Sequence, residues 1–93
     1  MYAVIRRYKS APALFDELAR REQDVRDVIL GVSGFVAYYL VRSGDGGASI
    51  TICQDQAGAA ESSKRARDWV LENLADVTGD APELTEGEVL YNF

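Results

Sequence analysis

The chain has 93 residues, 47% of them hydrophobic and 27% charged, with a formal net charge of −5 at pH 7. That length predicts a single domain spanning 1–93, and the balance of apolar and charged residues excludes a disordered chain. The acidic balance disfavours nucleic acid as a partner, the lack of any histidine removes the commonest metal ligand and the His-based triads, and a lone Cys53 allows no internal disulfide.

Tyr2 to Tyr8 predicts a first strand, with Tyr2, Val4, Arg6 and Tyr8 on one face and Ala3, Ile5 and Arg7 on the other. Ser10 or Ala11 then caps a helix with Pro12 in its first turn, where a missing N–H costs nothing. Leu14, Phe15, Leu18, Val25, Val28 and Ile29 fall on one stripe at helical spacing, with Asp16, Glu17, Arg20, Gln23, Asp24 and Asp27 opposite. This reads as one helix lying on a sheet with one side wet, ended by Gly31 and Gly34.

Gly34 to Cys53 predicts a hairpin, with strands Phe35 to Arg42 and Ala48 to Cys53 joined by Ser43-Gly44-Asp45-Gly46-Gly47. Alternation puts Phe35, Ala37, Tyr39 and Val41 on one face of its first strand and Val36, Tyr38 and Leu40 on the other. A strand that is apolar on both faces needs cover on both. Asp55 is the expected N-cap of a second helix, roughly Ala57 to Leu74, with Ala59, Ser63, Ala66, Val70 and Leu74 as its core stripe. Trp69 lies at the margin of that stripe beside Ser62, Ala66 and Asn73. Thr78 to Pro82 reads as a loop, and Glu83 to Phe93 holds the last strand, with Gly87 a bulge or bend.

The order β-α-β-β-α-β implies an α+β, ferredoxin-like domain: a four-stranded antiparallel sheet with two helices on one face. The other face would leave large apolar side chains in water, so a second copy of the same sheet is expected to cover it, giving a homodimer closed as a barrel. No apolar run reaches membrane-spanning length and the first residues lack the apolar core of a signal peptide, so a cytoplasmic protein without a membrane partner is expected.

Several side chains could carry chemistry, each with a plainer reading. Trp69 either walls a pocket or closes a gap in the core. Tyr38 and Tyr39 point to opposite faces, so one hydroxyl meets the helices and the other the dimer side; each bonds a ligand or a backbone carbonyl. An inward Arg6 or Arg7 either holds an oxyanion or carboxylate or pairs with one of the many acidic residues. Cys53 reads as a small buried hydrophobe. No metal site is expected: Glu83, Glu86 and Glu88 scatter over two faces, and Gly44-Asp45-Gly46-Gly47 lacks the Lys and helix of a phosphate loop.

The hairpin from Gly34 to Val41 with its glycine turn, the helix ending Ala66-Arg67-Asp68-Trp69-Val70, and Thr85-Glu86-Gly87-Glu88-Val89 resemble the dimeric α/β-barrel superfamily. The resemblance spans nearly the whole chain and points to its small antibiotic-biosynthesis-monooxygenase-like (ABM-like) bacterial members. Members of that group include cofactor-free oxygenases of aromatic polyketides, haem-degrading enzymes and proteins with no assigned reaction. The resemblance implies that Trp69 is the tryptophan that lines the substrate pocket. Where the oxygenases carry an asparagine one turn earlier, this chain has Arg65, and it lacks the histidine that haem degraders use to hold iron. The expectation is therefore a cofactor-independent, monooxygenase-like enzyme acting on a small aromatic molecule, with Trp69, Tyr38, Tyr39, Arg6 and Asn73 binding it. The alternative is a non-catalytic homodimeric module that binds a small ligand or another protein.

Overall fold

A computed structural model describes all residues 1–93. In chain order it contains β1 (Tyr2–Tyr8), α1 (Pro12–Arg20), α2 (Glu22–Leu30), β2 (Phe35–Ser43), β3 (Gly46–Cys53), α3 (Gln56–Asn73), a short 3-10 turn (Ala75–Val77) and β4 (Glu83–Glu88). The strands form one four-stranded sheet in the order β2-β3-β1-β4, with every neighbouring pair antiparallel. This is the ferredoxin-like arrangement, with the first helical crossover split in two.

The split corrects the expected single helix. α1 ends at Arg20, and Arg21 takes φ −117° and ψ 40° before α2 begins. The apolar stripe explains the site of the break. It runs through Leu14, Phe15 and Leu18, lapses at Arg21 and Glu22, and resumes at Val25. A straight helix would gain no burial there, whereas a bend lets both halves follow the twisted sheet. Glu22 and Asp24 in the first turn of α2 also favour a new helix start.

The hairpin turns on Gly44 and Asp45; Gly44 has φ +57°, which suits glycine at the first position of a type II′ turn. The Asp45 carbonyl accepts from the Ala11 N–H at 2.7 Å and so anchors the turn to the start of α1. In β2 the register shifts between Phe35 and Ala37. The extra residue at Val36 reverses the alternation below it, so Phe35 shares a face with Tyr38 and Leu40 and not with Ala37, Tyr39 and Val41. β4 stops at Glu88, short of the expected span to Phe93. Its partner β1 begins at Tyr2, which already faces Glu88, and only the Val89 N–H continues the ladder, to the Met1 carbonyl at 2.9 Å.

The Asp55 carboxylate accepts from the Gly58 N–H at 2.8 Å and caps α3 as expected. The first turns of α3 lie close to their neighbours because their inward residues are small: a Cβ on Gly58 would come within 2.8 Å of the Ser33 carbonyl. The core is correspondingly divided. One apolar cluster joins Val4, Val32, Cys53 and Ala59; a second joins Ala11, Leu14, Phe15 and Leu74.

Candidate functional site

All three helices lie over the face of the sheet that carries Val4, Arg6, Ser49, Thr51, Tyr38 and Leu40. Along β1 this face reads Val4, Arg6, Tyr8; Val4 belongs to the first cluster and Tyr8 packs against the second. Arg6 stands between them, opposite Ser49 of β3. Tyr38 of β2 faces Thr51 and is therefore one diagonal step from Ser49. A polar row, Arg6–Ser49–Tyr38, thus crosses the inner sheet face between two apolar clusters.

A cavity of about 500 Å³ opens above this row. Arg6, Tyr8, Tyr38, Leu40 and Ser49 form its floor. α1 and α2 supply Leu14, Leu18, Val25, Val28 and Ile29; α3 supplies Ser63, Ala66, Trp69, Val70 and Leu71, with the exposed Arg67 at the edge. Thr78 to Pro82 and Leu84 complete the rim. Of the 22 lining residues 14 are hydrophobic, which is the usual make-up of a site for an apolar molecule held by a few polar groups. Much of the helical stripe read as core from its spacing therefore lines a space.

The polar groups of the floor are electrostatically strained. Arg6 is 9% exposed, its Nη2 is buried without a hydrogen-bond partner, and it enters none of the ion pairs of the molecule. Burial lowers its pKa, while negative charge on Tyr8, Tyr38 or Glu86 would raise it. Burial pushes the Tyr8 and Tyr38 phenols upward, and the neighbouring Arg6 partly offsets this; Ser49 also eases Tyr38. Both tyrosines are therefore neutral hydrogen-bond donors at ordinary pH. Tyr8 is also fixed edge-on against Phe15, with ring centroids 5.7 Å apart.

Of the residues singled out from sequence, Arg6, Tyr38 and Trp69 meet around the cavity. Tyr39 and Asn73 do not. Tyr39 alternates onto the opposite sheet face, where it is 56% exposed. Asn73 is exposed on α3 and donates to the Trp69 carbonyl at 2.9 Å, so it touches the backbone of that residue and not the cavity. Arg7 lies on the outer face and also forms no ion pair. Arg65 is away from the cavity, paired with Glu61 at 3.3 Å and lying over Gly31. Cys53 is fully buried; burial raises its thiol pKa, Asp55 adds to this, and the group is unsuited to nucleophilic attack. No group of three or more His, Cys, Asp or Glu side chains is placed to hold a metal ion.

Tyr8, Ser49 and the 78–82 loop are cavity residues that sequence reasoning missed. A signal for Ser49 exists in Ala48-Ser49-Ile50-Thr51-Ile52. Alternation there sets Ser49 and Thr51 against Ala48, Ile50 and Ile52, and the polar pair occupies the helix-covered side.

No protein-family model matches the sequence, and no curated protein matches it. Solved structures do. A protein of unknown function from Nitrosomonas europaea superposes with a TM-score of 0.78 at 19% identity, over 99% of this chain and 91% of that one. A second Nitrosomonas europaea protein, provisionally named an antibiotic biosynthesis monooxygenase, gives 0.75 at 12% identity over 98% of this chain and all (100%) of the other. A mutant of MhuD carrying two manganese protoporphyrin IX molecules per active site gives 0.76 at 16% identity, over 100% of this chain and 98% of that one. The chain thus has the ABM-like α/β fold over nearly its full length. Among proteins of that fold are monooxygenase assignments, porphyrin binders and chains without a known reaction.

Proposed function

We propose that the protein is a homodimeric, cytoplasmic, ABM-like enzyme that oxidises a flat aromatic molecule with molecular oxygen and no cofactor. The observation that carries this reading is the cavity, which is roomy enough for a molecule of two or three fused rings, walled by Trp69 and floored by Tyr38 and Arg6. An electron-rich substrate with an activated CH₂ can reduce oxygen by itself: the CH₂ becomes a carbonyl, one oxygen atom is retained and the other leaves as water. The protein need supply only positioning, exclusion of water and hydrogen bonds to the developing oxyanion. Tyr38 and Ser49 have hydroxyls on the cavity floor for that purpose. Haem chemistry is not part of the proposal, since the chain lacks the histidine that commonly holds haem iron.

A second reading, binding without turnover, is favoured by one observation. Both floor tyrosines are held protonated, and the carboxylate on the cavity wall is Asp80, exposed on the rim loop, so no strong base stands beside the floor. One experiment separates the readings. Trp69 is the sole tryptophan, so its fluorescence reports the cavity directly. We expect quenching by a panel of fused-ring phenols and anthrones, accompanied by oxygen uptake that Trp69→Ala lowers at least tenfold. Quenching without oxygen uptake selects the binding module. A panel that leaves the fluorescence unchanged overturns both.

A further inference from the structure

The Arg6 guanidinium is the feature of the cavity that the proposed oxidation does not by itself require. Its residue is 9% exposed and its Nη2 has no hydrogen-bond partner. Arginine cannot escape by losing its proton. A buried cation without a counter-charge is far more costly than a buried hydroxyl, so such groups are paired wherever a partner exists. Within the chain none does. Glu86, on the neighbouring strand β4, contributes to the field at Arg6, but it is exposed and forms no ion pair. Arg6, Ser49 and Tyr38 border the same cavity, whose other walls are mainly apolar.

We infer that the molecule this cavity receives is an aromatic carboxylic acid, its carboxylate seated on Arg6 beside the Ser49 and Tyr38 hydroxyls and its rings against Trp69. The inference rests on the pocket proposed above and adds the charge of its ligand. A phenol or enol could also present an anionic oxygen, but a phenol is neutral at pH 7 and would leave the guanidinium uncompensated in the resting complex. A carboxylate, with an ordinary pKa of about 4, is ionised throughout. It also matches the fork of the guanidinium, which donates two parallel hydrogen bonds to a carboxylate and one to a phenolate.

The test compares three probes of one shape, 2-naphthoate, 2-naphthamide and 2-naphthol, titrated against the full chain and followed by Trp69 fluorescence. We expect the acid to bind at least tenfold more tightly than the amide or the phenol. That preference should fall to within about twofold in Arg6→Gln, shrink in Arg6→Lys, and persist in Arg7→Gln, which removes the same charge from the outer face. Tyr38→Phe gives a second reading should Arg6→Gln fail to fold, with an expected threefold or greater loss for the acid and little for the amide. Equal affinities for acid and amide would overturn the inference while leaving the pocket standing. A preference for 2-naphthol would assign the site to phenolates and also overturn it. Failure of all three probes, and of the wider panel above, would remove the pocket and the inference together.

Discussion

Arg6, Ser49 and Tyr38 show how little a residue's type says about its role until its face is known. Arg6 shares the buried face with Val4, and its cationic head ends under the cavity, while Arg7, one residue on, is exposed on the other side. Tyr8 and Tyr38 pay the electrostatic consequence, each with a pKa raised above the ordinary 10.0 by burial. In the folded state both keep their protons at a pH where the unfolded chain has released them. The stability they contribute is therefore complete below about pH 10 and is lost as pH rises through their folded-state values. Urea unfolding from roughly pH 8 to pH 11 should show the midpoint falling more steeply for the native chain than for a Tyr8→Phe, Tyr38→Phe double variant. Parallel slopes would mean that the two phenols are not desolvated. Ser49 marks the limit of residue-level reading: its alternation was visible, but small polar residues also suit a wet face, and only the position of the helices shows that Ser49 looks inward.

At the scale of elements, the parts of the fold legible in the sequence are those set by neighbouring residues. The hairpin follows from Gly44 and Asp45, and α3 from Asp55 ahead of a helical run. Alternation could not foresee the shift at Val36, because one added residue reverses every face assignment on one side of it. The bend at Arg21 leaves only a gap in the stripe, and a gap of one turn also occurs in straight helices. The cavity was illegible for a related reason. Leu18, Val25, Val28 and Val70 have the spacing of core residues, and whether such a stripe meets other side chains or empty space depends on how far the helices stand off the sheet. The small-residue start of α3 lies tight against Ser33 and Cys53, so the cap that fixes that end of the helix carries structural weight. Asp55→Ala should cost about 1 kcal/mol and lower Tm by roughly 4–8 °C. Thermal unfolding followed by circular dichroism at fixed protein concentration checks this; Asp55→Asn or Asp55→Ser should recover most of the loss, and an unchanged Tm for Asp55→Ala would show that the cap is redundant.

On the scale of the whole molecule the polarity of one central strand, β3, is inverted. β3 turns Ser49 and Thr51 toward the helices and Ile50 and Ile52 away from them. Ile50 is flanked on the outer face by Ile5 of β1 and Tyr39 of β2, and Tyr39 and Val41 are 56% and 49% exposed. Past β4 the chain continues as Val89 to Phe93, with Leu90 and Tyr91 more than four-fifths exposed at 81% and 82% and Tyr91 stacked on Phe93. An apolar sheet face and an apolar tail on one small domain are what an interface between two copies would use, since neither has cover within the chain. The proposed homodimer makes a direct demand on mass and on one side chain. Light scattering after size exclusion should give twice the 10.2 kDa of the chain at micromolar concentration. Ile50→Glu, which buries a charge against its own symmetry mate if two sheets pack face to face, should shift the protein to a monomer. The Trp69 cavity faces the helices and not this surface, so the variant should retain ligand-induced quenching for as long as it stays folded. A native chain that runs as a monomer, or an Ile50→Glu variant that remains dimeric, would show that the outer face is not where two copies meet.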